Sequence, residues 1–304
     1  MRESSVVVAI LSAGALSVSS APSPAAGQAP EFETTRVADG VYKFRWQSHN
    51  TMFVVTPHGV VAFDPISTQA AAAYANEIKR VAPGVGLTAI VYSHSDADHA
   101  TGARALMGAM GQQDVSIVAH ELAVAPIRRA ANRELPEPTR TFATRFSLDL
   151  GGKRVELHYL GPSHTDNMVV GYVPDAGIVF AVDFVSHDRV GFQELPGYHF
   201  PELFEALTGL LNIPFTRVVF GHGVDGDRAS IQRQLAYYDD LRASVRQAVA
   251  QGLAEDQAAA QVRLPTYASW GQYEAWFPMN VRAMYRALRA GQVSPPSGAA
   301  RDQD

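Results

Sequence analysis

Residues 91–102 read VYSHSDADHATG, and this stretch decides how the whole chain is interpreted. The segment that leads into it, residues 87–93, is apolar and partly β-branched, which predicts a buried strand, and residues 101–110 predict a helix. Loops at the ends of buried strands are where functional sites are usually built. This loop holds four side chains of the kinds that bind metal ions: His94, Asp96, Asp98 and His99.

Three more candidate ligands each follow a predicted strand: His164 in GPSHTDN, Asp183 in FAVDF and His222 in FGHG. Taken singly, each has an ordinary alternative, because a lone Asp often forms a turn and a lone His is often structural or merely exposed. If these strand ends converge on one metal site, several of them are expected to carry His or Asp, as they do here. The chain has no cysteine, so any metal must be bound by nitrogen and oxygen atoms.

The composition indicates a folded domain. Of 304 residues, 47% are hydrophobic and 18% are charged, which permits a substantial core in one large domain or two small ones. The net charge of −5 is mild and there is no basic block, so the expected partner is a small-molecule substrate and not nucleic acid.

The two ends of the chain predict segments outside that domain. Residues 1–29 carry one Arg, an apolar run and then small residues and prolines, which predicts a secretory signal peptide and a periplasmic or secreted protein. An uncleaved anchor and a disordered leader are the alternatives. The apolar run is shorter than the ~20 residues that span a bilayer, and no second such run follows, so no stable membrane span is expected after cleavage. Residues 293–304 predict a flexible tail.

Short β-rich runs and helical patterns alternate along the rest of the chain. Strands are predicted at residues 40–46, 51–56, 59–63, 87–93, 115–118, 145–150, 154–159, 168–173, 178–182 and 218–219. Helices are predicted at residues 68–81, 101–110, 120–131 and 201–211, and over most of 228–290. Strands followed by helices occur twice, which predicts an α/β fold of two halves packed sheet to sheet with helices outside.

The order of the candidate ligands resembles that of the metallo-β-lactamase-fold superfamily of di-metal hydrolases. The main signature of that family is H-x-H-x-D-H, then a His, a bridging Asp and a final His, and this chain reads H-x-D-x-D-H at residues 94–99. Two flanking segments are similar as well: GVVAFD at 59–64 resembles the family's opening strand pair, and GPSHT at 161–165 resembles its G-x-x-H-T loop. The resemblance covers about residues 35–225.

The resemblance implies a fold and two divalent metal ions. The fold is a four-layer αβ/βα sandwich of two mixed β-sheets with helices on both outer faces, here over residues 30–292 with a helical C-terminal part. The first ion would be bound by His94 and His164. The second ion would be bound by Asp98, His99 and His222, and Asp183 would bridge the two ions.

The resemblance also implies a hydrolytic reaction. A hydroxide between the ions would be the nucleophile, because metal binding lowers the pKa of water to about 7. Asp98 and Asp183 would be the catalytic carboxylates, and Asp64 would orient a ligand His without touching metal.

Asp96 departs from the family pattern, which has His at this position. The ligand set then holds three carboxylates instead of two, so two divalent ions, three carboxylates and one hydroxide sum to a neutral cluster. Zinc is the expected metal, but His94, Asp96 and His164 form a two-His, one-carboxylate set that also suits iron or manganese. The flavodiiron oxygen and nitric-oxide reductases resemble it with H-x-E-x-D-H, yet nothing after His222 reads as their flavodoxin-like domain. The alternative is that Asp96 is too short to reach a metal.

The segment after Asp183, VSHDRVGFQELPGYHFPE, would run beside the metals in this fold. An ordinary surface loop is the alternative for each of its side chains. Trp46 and His49 could form a flap over the pocket, with plain packing as the alternative for Trp46. The candidate substrate contacts in the segment are His187, Arg189, Phe192, Tyr198 and His199.

The sequence favours an exported metal-dependent hydrolase that acts on an ester, lactone, thioester or lactam. A β-lactamase proper is an alternative, since HTDN at 164–167 resembles the loop of some of those enzymes, although they generally lack Asp at the bridging position. A di-iron redox protein and a non-catalytic metal-binding protein are the others. Substrate, native metal and oligomeric state stay open.

Overall fold

The computed structural model describes residues 31–200 and 202–293. The predicted signal peptide and the predicted tail beyond residue 293 lie outside these residues, so both stay predictions. A seven-stranded sheet and a five-stranded sheet lie at the centre of the described part. Each contains antiparallel and parallel pairs, so both are mixed, as predicted.

The first sheet follows chain order from β1 to β7. Strands β1 to β4 pair antiparallel, and β4 to β7 pair parallel with helices in the connections. The bounds are β1 Phe32–Ala38, β2 Val41–Trp46, β3 His49–Thr56, β4 Gly59–Phe63, β5 Leu87–Val91, β6 Ser116–His120 and β7 Arg140–Phe142. The helices between them are α1 Thr68–Val81, α2 Ala97–Ala100, α3 Ala103–Met110 and α4 Val124–Ala130.

The second sheet has the order β12-β11-β10-β9-β8, with β11 and β12 parallel. Its strands are β8 Arg145–Asp149, β9 Arg154–Tyr159, β10 Val169–Val173, β11 Ile178–Ala181 and β12 Arg217–Phe220. The remaining helices are α5 Glu202–Leu211, α6 Arg228–Ala250, α7 Glu255–Gln261 and α8 Tyr273–Arg289.

Strand β4 is buried on both faces, as a strand covered by two layers must be. Val60 and Ala62 pack with the α1 and α3 side chains in one core cluster. Val61 and Phe63 belong to the other cluster, which joins the two sheets and the C-terminal helices. The predicted four-layer α/β sandwich is therefore confirmed.

The two sheets approach closely where Phe63 meets the second sheet. Its ring centroid lies 5.3 Å from that of Phe180. Gly171 on β10 makes room for it, because a Cβ at that position would lie 2.4 Å from the Phe63 ring. This contact lies one residue before Asp64, so the packing of the sheets also fixes the start of the site loop.

Several elements differ from the sequence prediction. Strands β1 and β7 were not predicted; β1 pairs along β2 at one edge of the first sheet, and β7 pairs along β6 at the other. The helix predicted at 101–110 is observed as α3, Ala103–Met110, and an additional short helix, α2 Ala97–Ala100, precedes it across a break. Gly102 lies at the break and leaves no room for a side chain, since a Cβ there would be 2.4 Å from the carbonyl oxygen of Pro65.

Within the described residues, no helix combines the length and apolar character needed to cross a membrane.

Candidate metal centre

Loops that leave four strands meet at one edge of the two sheets. The loop after β5 carries the H-x-D-x-D-H motif, and the loops after β9, β11 and β12 carry the other candidates. The side chains that these loops bring together are His94, Asp96, Asp98, His99, His164, Asp183 and His222. The convergence predicted from the sequence is thus present in the structure.

Asp183 lies in the middle of this cluster. Its Oδ2 is 3.2 Å from Nε2 of His94 and 3.2 Å from Nε2 of His99. Its Oδ1 points the other way and is 3.2 Å from Nε2 of His222. The backbone of Asp183 has a φ of 63°, the left-handed region that costs most residues energy but that Asp tolerates. Its Oδ2 therefore faces His94 and His99 while its Oδ1 faces His222, so Asp183 would be able to contribute to more than one ion.

Asp64 orients two of the imidazoles through hydrogen bonds. It is fully buried, and it accepts hydrogen bonds from Nδ1 of His99 at 3.0 Å and from the Ser93 hydroxyl at 2.6 Å. Because the Ser93 hydroxyl proton goes to Asp64, its oxygen is left to accept from Nδ1 of His94 at 2.9 Å. With protons held on Nδ1, the Nε2 atoms of both histidines face the cluster, where each could bind an ion once it has lost its own proton.

The buried donors of this cluster fit metal ions. Among the described residues, Nε2 of His94, Nε2 of His99 and Oδ1 of Asp183 are buried and make no hydrogen bond of acceptable geometry. Such atoms are costly unless a ligand or ion satisfies them. Bonds of about 2.0–2.2 Å to one ion put neighbouring donors roughly 3–3.6 Å apart, and the distances around Asp183 fall in that interval. Three groups of described residues could hold an ion, and the first two share His94: His94, Asp96 and His164; His94, His99 and Asp183; and His49, Asp98 and His222.

Asp96 lies within reach of the first group. Its Oδ2 is 3.3 Å from Nε2 of His164 and 3.5 Å from Nε2 of His94, although the side chain is 43% exposed. Hydrogen bonds with His164 and His94 hold the pKa of Asp96 below its usual value, so the carboxylate is ionised at neutral pH. These distances would allow Asp96, His94 and His164 to share one ion.

The charges of the cluster are balanced between carboxylates and imidazoles. Burial lowers the pKa of His94, but the carboxylates of Asp183 and Asp96 outweigh it and raise that pKa to about 9. The imidazole of His49 lowers the pKa of Asp98 to about 2. The carboxylates therefore favour positive charge here, which protons or metal ions can supply.

His49 is the residue of this centre that sequence reasoning assigned elsewhere. It was considered for a flap, whereas its Nε2 lies 3.2 Å from Oδ2 of Asp98. No spacing motif connects it to the other ligands, since β3 and the β5 loop meet only in the folded sheet. Trp46, the other flap candidate, stacks on Phe32 and packs against the core cluster that contains Val60 and Ala62.

A cavity of about 540 Å³ opens beside the cluster. Of the predicted substrate contacts, Arg189, Phe192 and Tyr198 line it. His187 and His199 are not among its lining residues, because the His187 ring bonds to the Ser230 hydroxyl at 3.0 Å and the His199 backbone bonds to Ser163. The hydroxyl of Tyr198 donates to the backbone oxygen of Asp183 at 2.7 Å, so it supports the loop. The other lining residues include Val185, Val190, Pro196, Tyr238 and Trp276.

Arg189 is the cationic side chain of this lining. Its guanidinium carbon lies 4.6 Å from the ring centroid of Trp276, and burial lowers its pKa. Within the described part of the chain, no carboxylate lies within ion-pairing distance of it. An Arg remains charged in proteins, so this group can still bind an anion.

Comparisons with known proteins agree with this geometry. The sequence profile of the metallo-beta-lactamase superfamily matches residues 44–231. A metallo-beta-lactamase from Pontibacter korlensis superposes with a TM-score of 0.59 at 22% identity, over 68% of this chain and 99% of that one. The enzyme TMB-1 superposes with a TM-score of 0.59 at 18% identity, over 69% and 98% of the two chains.

A curated relative has a different printed activity. The 2,4-dinitroanisole O-demethylase subunit alpha of Nocardioides sp. (strain JS1661) is 26% identical over 226 residues. The match covers 73% of this chain and 65% of the length of that relative.

Proposed function

Because the chain belongs to the metallo-beta-lactamase superfamily, as its ligand motif predicted, we propose that it is a metal-dependent hydrolase of an ester, lactone, thioester or lactam. One observation supports the proposal: donors from three strand-end loops surround Asp183, which lies on a fourth, beside an open cavity. Members of the superfamily bind divalent ions, usually two, and the described residues of this chain include groups of donors that could hold metal.

The bound ions would supply a water of lowered pKa and polarise the bond to be cleaved. The chain's own residues do the rest. Asp64 and Ser93 fix the rings of His94 and His99 through the hydrogen bonds to Nδ1. Asp183 is held at its backbone oxygen by Tyr198. These supports keep the donors in place without reorganisation during the reaction.

We propose that the substrate has an apolar or aromatic body and an anionic group. Val185, Val190, Phe192 and Trp276 give the cavity apolar walls. Arg189 is the group that would bind the anion. The negative charge of Asp96 lowers the net charge of the metal cluster, so the cluster attracts an anionic group less strongly. Bound ions would polarise the bond to be cleaved, and Arg189 would bind the anionic group at the other end of the substrate.

A second candidate is the cleavage of an aryl ether. The observation that favours it is the relative named as a 2,4-dinitroanisole O-demethylase subunit. In a hydrolytic version, water adds to an electron-poor ring carbon, the bond from that carbon to the ether oxygen breaks, and an alcohol leaves with the proton. The aromatic side chains of Phe192, Tyr238 and Trp276 suit a flat ring.

The test is turnover by the full chain loaded separately with zinc, manganese and ferrous iron. The panel holds an aryl ester, a lactone, a thioester, a chromogenic cephalosporin and a nitroaryl methyl ether, each with and without a carboxylate. We expect hydrolysis of at least one ester-type compound, and its loss in Asp183→Asn and His99→Ala, while exposed Asp175→Asn retains it. Full activity in both site variants would overturn the proposal.

The same experiment separates the other functions. Cephalosporin turnover alone would indicate a β-lactamase proper, and ether cleavage with label from ¹⁸O-water in the phenol would indicate the aryl-ether reaction. Bound iron with oxygen or nitric oxide reduction and no hydrolysis would indicate the redox alternative. Tight binding of a panel compound without turnover would indicate a non-catalytic protein.

We also propose that the protein is exported, on the pattern of residues 1–29. The mass of the protein recovered from the periplasm and medium of its host tests this. We expect a mature chain that begins between residues 22 and 30, and an intact chain in the cytoplasm would contradict export.

A further inference from the structure

The start of β3 is fixed against the loop that leaves β12. The backbone N–H of Asn50 donates to the oxygen of Gly221 at 2.7 Å. The buried side chain of Asn50 donates to the oxygens of Phe220 at 3.0 Å and Gly223 at 2.8 Å. His49 and His222 form an isolated antiparallel bridge beside these bonds. The two sheets are therefore tied together next to the metal centre, and the position of His49 is as well defined as that of His222.

The imidazole of His49 points into the centre. Its Nε2 lies 3.2 Å from Oδ2 of Asp98, and its ring centroid lies 4.6 Å from that of His222 and 5.9 Å from that of His99. The Nδ1 of His222 is 3.0 Å from the Ser48 carbonyl oxygen, which can only accept, so Nε2 of His222 carries a lone pair. Ser48 and Asn50 thus orient one ligand while His49, between them, presents another nitrogen to the same point.

The spacing of these atoms suits a shared ion. One nitrogen or oxygen from each of His49, Asp98 and His222 lies within 4.8 Å of the others. Donors at about 2.0–2.2 Å from an ion are roughly 3–3.6 Å apart when adjacent and about 4–4.4 Å apart when opposite. A plain hydrogen bond would explain the contact between His49 and Asp98 alone, but not the second imidazole, that of His222, which lies within the same distance limit.

We infer that His49 Nε2 is a ligand of the second ion, together with Asp98 and His222. Two imidazoles and one carboxylate form a two-His, one-carboxylate set, which suits manganese or iron as well as zinc. His94, Asp96 and His164 form a set of the same composition, so both sets of donors suit a harder ion. The inference rests on the metal centre of the proposed function and not on which bond is cleaved.

The test measures metal binding without substrate. His49→Ala and His49→Gln are compared with His58→Ala, an exposed His on the turn between β3 and β4. Each full-length protein is titrated with manganese and zinc against a chelator, and bound ions are counted. We expect two ions in the parent and in His58→Ala. Both His49 variants should retain the first ion and bind the second at least ~10-fold more weakly, the loss seen even for outer partners of a ligand.

Retention of the first ion shows that the variants are folded. Gln keeps a hydrogen-bond donor for Asp98, so recovery of parental affinity in His49→Gln would mean that His49 only positions Asp98, and would overturn the inference.

A crystal structure of the manganese-loaded protein gives a direct distance from His49 to the ion. We expect about 2.0–2.2 Å from Nε2 to the second ion. A separation above ~3 Å, or a protein that takes only the first ion, would also overturn it. Because no turnover is measured, failure of the hydrolase proposal leaves this result intact.

Discussion

At the scale of single residues, Asp96 changes the charge of the centre. A neutral imidazole at this position would leave Asp98 and Asp183 as the two carboxylates of the ligand set. Asp96 adds a third, and its Oδ2 lies 3.3 Å from Nε2 of His164, inside the set. A third carboxylate lowers the net charge of a two-ion cluster by one. Harder ions gain relative to zinc, and anionic substrates lose attraction to the metals.

Asp96→His should reverse both effects. We expect zinc affinity relative to manganese to rise roughly 10–100-fold, the range by which changes close to a metal alter its binding. The measurement is chelator competition with each metal at one pH. Asp114→His makes the same change of charge at an exposed site before β6 and should leave the ratio unchanged. An unaltered ratio in Asp96→His would mean that Asp96 does not contact an ion.

Metal affinity should depend on pH through His94. The pKa of this imidazole is raised to about 9 by the carboxylates of Asp183 and Asp96, which outweigh burial. Below that pH its Nε2 carries a proton that an ion must displace, so acid weakens binding. We expect affinity to rise steadily from about pH 6 to about 9 and then to level off. Calorimetry in buffers of different ionisation enthalpy should register protons released when the metal binds. A metal affinity that does not change between about pH 6 and 9 would contradict a role for His94 in this pH dependence.

Sequence spacing predicted the candidate ligands that share a motif but not His49, the ligand proposed from outside it. His94, Asp98 and His99 occupy one loop, so their separation along the chain fixes their separation in space. His49 approaches Asp98 from a different strand, at a position determined by the pairing of β3 with β2, β4 and the β12 loop. That register depends on the whole sheet and cannot be read from local pattern.

At the scale of elements, the break between α2 and α3 sets the position of the second half of the motif. Ile66 donates to the carbonyl oxygen of His99 at 2.7 Å and forms a bridge with Ala100. Gly102 follows at once, with its Cα against the Pro65–Ser67 backbone. The loop after β4 and the loop after β5 are thereby held together, which keeps Asp64 at the ring of His99.

Gly102→Ala should destabilise the protein. A Cβ at residue 102 would lie 2.4 Å from the Pro65 oxygen and 2.5 Å from the Ser67 oxygen, and both are backbone atoms that cannot turn away. We expect the free energy of unfolding to fall by about 1–3 kcal/mol, as for other overpacked sites. Gly108→Ala in the same helix is the matched control, since nothing lies within 4 Å of its added Cβ. It should gain about 0.5–1 kcal/mol, and equal denaturant midpoints for the two variants would contradict the argument.

Strand β1 shows why some elements escape sequence analysis. Its residues FETTRVA carry one large apolar side chain at the start, and its side chains alternate little between buried and exposed. It is a strand because β2 offers a free edge, with pairs from Phe32 with Trp46 to Ala38 with Val41. Helix α1, in contrast, matched its prediction at both ends because its apolar spacing and the Ser67 cap are local signals.

At the scale of the whole molecule, the C-terminal helices complete the cavity. The superfamily match ends at residue 231, yet Tyr238 of α6 and Trp276 of α8 line the cavity beside the metal centre. The buried side chain of Asn280 donates to the backbone oxygens of Gly191 at 2.9 Å and Gln193 at 2.6 Å. These bonds hold the loop that carries Arg189 against α8. Substrate selectivity in this chain should therefore depend on residues outside the matched region.

Trp276→Ala tests that dependence. The change removes the ring that stacks on the Arg189 guanidinium at 4.6 Å and packs edge-on against Phe192 at 5.0 Å. Such contacts are worth about 0.5–2 kcal/mol, so we expect KM for an aromatic carboxylate substrate to rise roughly 2–30-fold with kcat little changed. Met279→Ala, a partly exposed position of the same helix outside the cavity lining, is the control.

If no compound of the panel is turned over, the dissociation constant of an aryl carboxylate, measured by calorimetry on the metal-loaded protein, replaces KM. Equal affinity in Trp276→Ala and the parent would mean that the substrate lies against the metals alone, and that the C-terminal helices stabilise the fold without selecting the substrate.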